Sequence, residues 1–368
     1  MKVLHVLSTD KLSGAEKVAL DICKNLNQRK FEPLCVCTGE LREYFTEGNI
    51  KVFNIDVSRL KISELLKLRT IILSENIEIV HAHDNKASII SKLVTIGTNV
   101  RIISHIHAKY EWVKSINLMR TIDSTFRNKY DLSIACSKST YYYYLKYNSN
   151  VKNITYLNNS INLEELSRFC FVDKNYLADS YSIPKNKYIF GYIGRLISLK
   201  GVDLLIEAFY EFCKENNEGI LIITGDGDEI DNLRSLSDSL GIADKVIFTG
   251  FKKNVYDYLN LFDCFIISSV SEGLPISLLE AMALEKIIIS TPIEGAMEVI
   301  ENNYNGIILK ERTKYELLKM MKYVYENNSV LNNLGINARK TIENGYSMNN
   351  YIKNIEEIYT KIIGIKGE

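Results

Sequence analysis

Two carboxylates and two cations stand out as groups that could do chemistry. Glu272 and Glu280 lie eight residues apart in the stretch VSEGLPISLLEAMA at 270–283. On one uninterrupted helix that spacing would turn them about 80° out of line and set them about 12 Å apart along the axis. Pro275 suits a first helical turn, so Glu272 belongs to the preceding loop and Glu280 to the helix. Both carboxylates can then face one pocket beside the N–H groups of Gly273 and Leu274. A carboxylate is the usual acceptor for a ribose diol, and a helix start can carry a phosphate or a sugar hydroxyl. Acidic residues are also common at helix starts for electrostatic reasons alone. The flanking Ser, Gly and Pro are what make this block specific.

Arg195 and Lys200 stand in YIGRLISLKG at 192–201, after a strand-like run and between two glycines. A diphosphate could take a forked contact from the guanidinium and a point charge from the ammonium, so a leaving group would be stabilised without a metal ion. Taken alone, the pair reads equally as solvated cations on a surface loop. The carboxylate block tips that reading toward a phosphate site. A third loop, STDKLSGAEK at 8–17, spaces Ser13 and Glu16 as a capping box, which would leave the N–H groups near Gly14 and Ala15 free for an anion. Gly14 would admit a close phosphate, or it is a permissive residue beside a plain cap. No G-x-G-x-x-G is present there, so a nicotinamide or flavin enzyme of ordinary type is not supported.

Histidines offer a competing chemistry. His81 and His83, like His105 and His107, are two apart on strand-like runs, so each pair shares a face and the four suggest a metal cluster. Strand ends commonly hold such residues as ordinary hydrogen-bonded imidazoles, and no nearby Cys or carboxylate set completes a zinc geometry. No metal site is expected.

The elements that must position these groups alternate regularly. β-Branched runs over 2–7, 34–38, 52–55, 79–83, 101–107, 131–135 and 153–157 are separated by helix-like stretches such as 15–26, 63–74, 86–95 and 139–146. The pattern restarts with strands over 188–193, 220–224, 246–249, 264–267, 287–290 and 307–309, interleaved with helices over 202–214, 229–240, 255–262 and 276–284. Such alternation means βα units and parallel sheet. At 368 residues the chain exceeds one ordinary core. The expected fold is therefore α/β, with two Rossmann-like doubly wound domains facing across a cleft. Their expected extents are 1–165 and 188–345, with a linker at 166–187 and a terminal helix at 346–368 returning to the first domain. Ligands in open α/β sheets bind at the carboxyl ends of strands, which is where the groups above fall.

Composition excludes several classes. The chain is 46% hydrophobic and 24% charged with 4 Pro, so long disorder is not expected. Its formal charge is zero, which argues against a nucleic-acid partner. That zero hides an asymmetry: residues 1–180 carry 25 basic and 19 acidic side chains, and the remainder 20 and 26. Seven Cys, odd in number and scattered, read as buried thiols of a reducing cytosol. The first apolar run is too short for a signal peptide, and no stretch approaches a membrane span.

With these residues in place, the sequence resembles the retaining glycosyltransferases of family 4, also called glycosyl transferases group 1, of the fold called GT-B. GRLISLKG at 194–201, ITGDGDE at 223–229, FTGF at 248–251 and SEGLPISLLEAMA at 271–283 carry the match in the second half. SGAEK at 13–17 and SHIHA at 104–108 carry it in the first, and the likeness is weakest over 40–75, 109–130 and 310–368. The resemblance implies that Arg195 and Lys200 bind the donor diphosphate, that Glu280 holds the ribose, and that Glu272 lies beside the donor sugar. It implies that His107 stands near the anomeric centre. Gly225, Gly250, Phe251 and Lys252 would fall near the base, and Gly14, Gly273 and Leu274 would contribute backbone to the donor. The usual N-terminal pair of glycines is Ser13-Gly14 here.

The implied reaction moves a sugar from a nucleoside diphosphate sugar, UDP favoured over GDP, to a hydroxyl with retention. Arg195, Lys200, Glu272 and His107 are the catalytic group, with no cofactor or metal. Implied acceptors are a saccharide or a polyprenyl-diphosphate-linked saccharide of capsule or exopolysaccharide assembly. Eleven basic residues against three acidic ones between Lys86 and Lys152, with Trp112 and the tyrosines at 141–144, suggest a cytoplasmic protein peripheral on an anionic membrane. The same residues could be a solvated helical face with core aromatics. The rival functions are a nucleotide-sugar 2-epimerase of GT-B shape and a non-catalytic partner subunit.

Overall fold

A computed structural model describes residues 1–115, 117–148, 151–169 and 172–364. Cys170 and the last four positions of the expected terminal helix lie outside the described residues. The chain divides into two compact units, Met1–Asn159 with the chain from Met348 onward, and Ser160–Ser347.

The first unit is built on seven parallel strands: β1 Lys2–Val6, β2 Glu32–Cys37, β3 Lys51–Asn54, β4 Ile79–His83, β5 Arg101–Ile106, β6 Leu132–Ala135 and β7 Ile154–Tyr156. Their order is β3-β2-β1-β4-β5-β6-β7. Helices cover both faces of a parallel sheet, so its inner strands read as continuous apolar runs, and all five residues of β4 are buried. The order reverses between β1 and β4, which makes these strands neighbours although 72 residues of sequence separate their ends. Their register pairs His5 with His81, and that of β4 with β5 pairs His83 with His105.

The helix Met348–Ile363 belongs to this unit and buries Tyr351, Ile352, Ile355 and Tyr359 along one stripe. Its second half is anchored by two hydrogen bonds. Glu356 accepts from the Asn27 backbone N–H at 2.7 Å, and the Tyr359 hydroxyl meets His81 Nδ1 at 2.7 Å.

The second unit holds six parallel strands: β8 Tyr188–Ile193, β9 Gly219–Thr224, β10 Val246–Gly250, β11 Cys264–Ile267, β12 Ile287–Ser290 and β13 Ile307–Ile308. The order β10-β9-β8-β11-β12-β13 repeats the doubly wound plan, with β8 in the place of β1. Phe190, Phe209 and Phe212 centre its core. The helix Ile276–Ala283 packs on the helix Asn332–Gly345.

Residues 160–187 are not a bare connector. They form the short helices Leu163–Ser167 and Lys174–Ser180, capped by Asn162 and Asp173, and group with the second unit. Asp263 ties them down, receiving Lys174 Nζ at 2.6 Å and the Ile189 N–H at 2.8 Å. Caps and tertiary anchors, rather than an apolar period, hold these helices, so periodicity could not show them. Two further helices, Leu41–Glu47 and Leu118–Arg127, lie in stretches where the family likeness of the sequence is weakest. The described cysteines are all free thiols, five of them buried. No helix of the described residues is long and apolar enough to cross a membrane.

Candidate functional site

The strand-end loops of the second unit are knitted together by backbone. After β8, Gly194 N–H donates to Thr224 O at 3.1 Å and Leu196 N–H to Asp226 O at 2.9 Å, while Gly225 N–H reaches Gly250 O at 3.0 Å. Gly225 has φ +145°, and a Cβ there would come within 1.9 Å of Gly194 O. This glycine is required by the protein's own loop packing, whatever ligand it meets. Gly250 also has positive φ but faces open space. Phe251 next to it is exposed, and Lys252 Nζ lies 5.9 Å from the Tyr258 ring centre.

Lys200 ends a short 3-10 turn, Ser198–Lys200, and Gly201 with φ +61° starts the following helix. Its ammonium forms an ion pair with Glu272, whose same oxygen accepts from Ser269 Oγ at 2.8 Å. Ser268 Oγ donates to Lys200 O at 3.0 Å, and Val270 N–H to Leu199 O at 2.9 Å. The loops after β8 and β11 are therefore one assembly, and the structure brings together two of the residues the sequence singled out. Arg195 is exposed on the first loop, and its guanidinium makes no hydrogen bond among the described residues. Glu280 is buried on the helix Ile276–Ala283, and Pro275 stands at its N-cap. Gly273 and Leu274 are buried in the turn between the two carboxylates.

One supporting residue had escaped notice. Gly295, in the short helix Glu294–Met297 after β12, packs so closely that a Cβ would lie 1.5 Å from Gly273 O. Its place in a strand-end loop was the available signal.

In the first unit the capping box forms as its spacing predicts. Glu16 Oε2 accepts from Ser13 N–H at 3.1 Å, and Oε1 from Thr9 Oγ1 at 2.5 Å. Gly14 is exposed, with open space where a Cβ would go. Nearby Asp84 caps the helix Asn85–Val94, accepting from Ala87 N–H at 2.7 Å, and also accepts from Ser8 Oγ. Burial raises its carboxyl above the ordinary value.

All five histidines of the chain meet on one face of β1, β4 and β5 and the end of β5. Two chains of ring contacts link them. His5 Nδ1 meets His83 Nε2 at 2.9 Å, and His83 Nδ1 meets His107 Nε2 at 3.1 Å. His81 Nε2 meets His105 Nδ1 at 3.2 Å, and its other nitrogen meets Tyr359. The four sequence-flagged histidines are thus brought together, and His5 joins them. A lone histidine in an apolar strand carries no signal until the sheet order is known. Burial lowers all five, His5 and His107 to about 3. Burial favours the neutral form of His107, the expected catalytic histidine.

The basic stretch is less basic at its surface than its composition. Arg127 is fully buried, bound to Asp123, to Asn85 Oδ1 at 2.7 Å and to Ser104 Oγ at 2.9 Å, and Lys109 is buried too. Tyr144 is a core residue, and Trp112 stacks on Tyr110 with centres 5.4 Å apart. Leu118 and Met119 are exposed on the helix Leu118–Arg127.

Fold and site define a two-Rossmann-domain protein with an anion-competent loop assembly in its second unit, and comparison with known proteins agrees. The profile described as Glycosyltransferase Family 4 matches residues 12–165, and that described as Glycosyl transferases group 1 matches residues 173–341. A UDP-Gal:alpha-D-GlcNAc-diphosphoundecaprenol alpha-1,3-galactosyltransferase of Escherichia coli is 22% identical over 99% of this chain and 97% of its own length. The capsular polysaccharide biosynthesis glycosyltransferase CapH of Staphylococcus aureus is 28% identical over 81% of this chain and 83% of its own. Among solved structures, Anabaena HepE in complex with UDP-glucose superposes with a TM-score of 0.88 at 19% identity, over 98% of this chain and 100% of that one. The chain belongs to glycosyltransferase family 4, with the GT-B fold, and is a hexosyltransferase.

Proposed function

We propose that the enzyme transfers a hexosyl or N-acetylhexosaminyl group from a UDP-sugar to a hydroxyl of a saccharide or lipid-linked saccharide, with retention, in cell-surface polysaccharide assembly. The observation that carries this reading is the Lys200–Glu272 pair, a cation and a carboxylate held by two strand-end loops, on the first of which Arg195 stands exposed. The UDP-galactose donor in the name of the Escherichia coli relative and the UDP-glucose in complex with Anabaena HepE support the UDP-sugar, and the diphosphoundecaprenol of the former supports a lipid-diphosphate acceptor.

In the proposed reaction the glycosidic bond to the diphosphate breaks as the acceptor oxygen bonds the anomeric carbon on the same face. The leaving phosphate takes the acceptor proton. Negative charge grows on that phosphate, and preorganised cations lower the barrier most where charge develops. Arg195 supplies a fork, and Lys200 turns from Glu272 to the phosphate. No metal is needed for this step. Glu272, released, accepts from sugar hydroxyls, Glu280 receives the ribose diol, and neutral His107 hydrogen-bonds the donor sugar. Gly14, Gly250, Phe251, Lys252, Gly273 and Leu274 complete the donor contacts.

The test is a panel of UDP- and GDP-sugars followed by thermal shift and by NMR of the product. A UDP-sugar at about a hundredfold its Kd should add about 2.7 kcal/mol of stability, and the new linkage should keep the donor's anomeric configuration. Stabilisation by GDP-sugars alone, or an inverted product, overturns the proposal.

A further inference from the structure

Five imidazoles, four of them buried and His107 partly so, are linked among the described residues only to one another and to Tyr359, which poses a problem of hydrogen-bond accounting. A neutral imidazole has one donor and one acceptor. In the chain His5–His83–His107, two contacts join three rings, so one end keeps an N–H with no acceptor and the other a lone pair with no donor. The buried atoms His5 Nε2, His107 Nδ1 and His105 Nε2 have no hydrogen-bond partner among the described residues. Each buried orphan costs about 1–3 kcal/mol. Three on one sheet face exceed what a plain structural cluster requires.

A metal ion bound to ring nitrogens takes up part of this deficit, because it accepts a lone pair, such as that of His105 Nε2, which has no donor among the described residues. His83, His105 and His107 each offer a ring nitrogen, and these atoms lie within 4.8 Å of one another. At metal–nitrogen distances of about 2.0–2.1 Å, tetrahedral ligand atoms stand about 3.4 Å apart, close to the 3.1 Å already present between His83 Nδ1 and His107 Nε2. His105 carries an orphaned nitrogen, Nε2, an ion would replace the His83–His107 contact, and His107 is partly exposed, which gives an ion a way in. The alternative trio, His5, His81 and His83, also satisfies the distances but is wholly buried, which leaves an ion no way in.

We propose that His83, His105 and His107 form a binding site for one borderline transition-metal ion, Zn²⁺, Ni²⁺ or Co²⁺, with water in the remaining position. All-imidazole donors suit these ions and not Mg²⁺ or Ca²⁺. Its ligands belong to the first unit, and the cations assigned to the diphosphate belong to the second. It shares His107 with the proposed transfer chemistry, so a bound ion and transfer compete for that ring.

The experiment uses the full chain without a histidine tag, stripped with EDTA, and titrated with ZnCl₂ and CoCl₂ at pH 7.5. One ion per chain is expected, with visible Co²⁺ absorption bands of nitrogen-ligated, low-coordinate cobalt. His107→Asn, at the partly exposed position, should lose that binding with its circular dichroism unchanged. No saturable ion in the wild type, a Co²⁺ spectrum like that of the aqueous ion, or unchanged binding in His107→Asn overturns the site. The wild-type spectrum keeps the test independent of any variant's folding. Binding that leaves sugar transfer untouched upholds the metal site and counts instead against the role given to His107.

Discussion

Lys200 and Glu272 are each other's partner before any donor arrives, and this makes their variants informative. Both side chains are mostly shielded, 17% and 14% exposed. Removing either partner should therefore cost about 1–3 kcal/mol, between the limits for surface and buried pairs. The double variant Lys200→Met with Glu272→Gln removes both charges and should recover much of that stability. Transfer should stay suppressed by about 10²–10³-fold, the usual loss for one transition-state donor. Denaturant midpoints and UDP release measure the two effects separately. A double variant that regained transfer along with stability would remove Lys200 from the diphosphate role. The sequence showed these residue types and their loops, but not their pairing, because the contact joins loops 72 positions apart. Arg127 shows the opposite limit: composition counted it as surface charge, and Asp123 four residues earlier was the one cue to its burial.

At the scale of elements, the site depends on loops that interlock closely through their backbones. Gly295→Ala puts a methyl group where Gly273 O stands, and Gly225→Ala does the same against Gly194 O while demanding a φ near +145°. Neither glycine's neighbour is a movable side-chain end, so the loops must shift. Each variant should keep its sheet and lose donor affinity by at least about tenfold, since small displacements of positioned groups are costly. Isothermal titration with UDP, beside far-ultraviolet circular dichroism, checks this. Unchanged UDP affinity in Gly295→Ala would mean that the Gly273 turn is not part of the donor site. Strands were readable because parallel sheet buries both faces and leaves unbroken runs of Val, Ile and Leu. Helices 163–167 and 174–180 were not, since five to seven residues held by caps and a shared Asp263 leave no period to read. His5 belonged to the cluster only once β1 was known to lie beside β4.

For the whole molecule, the buried histidines predict acid lability of the first unit. Their folded values are depressed below the ordinary 6.5, so the unfolded chain binds more protons in the interval below it. Stability is therefore complete above about pH 6.5 and is lost as pH falls toward the folded values. Because these buried rings all titrate in the same direction, the loss accumulates against the marginal stability of a domain. Urea midpoints of the metal-free chain at pH 7.5, 6 and 5 should fall steeply, with an uptake of several protons on unfolding. A flat profile between pH 7 and 5 would contradict the neutral, buried state of these rings. The proposed seat on an anionic membrane belongs to this scale too. Sedimentation with vesicles should increase with anionic lipid and weaken severalfold when exposed Leu118 and Met119 become serine. No dependence on anionic lipid would remove the membrane from the account.

The helix Met348–Ile363 places the last turns of the chain against residues near its beginning, through Glu356 with Asn27 and Tyr359 with His81. This has a consequence for how the protein is made. The second unit is one continuous segment and can fold as it leaves the ribosome. The first must wait, its sheet lacking this cover, while the ribosome synthesises residues 160–347. At about 5–20 residues per second that is a delay of roughly ten to forty seconds. During it the histidine face and the apolar side chains that will receive Ile355 and Tyr359 stand open to chaperones and to one another. A stop codon before residue 348 would leave the nascent first half permanently in that state.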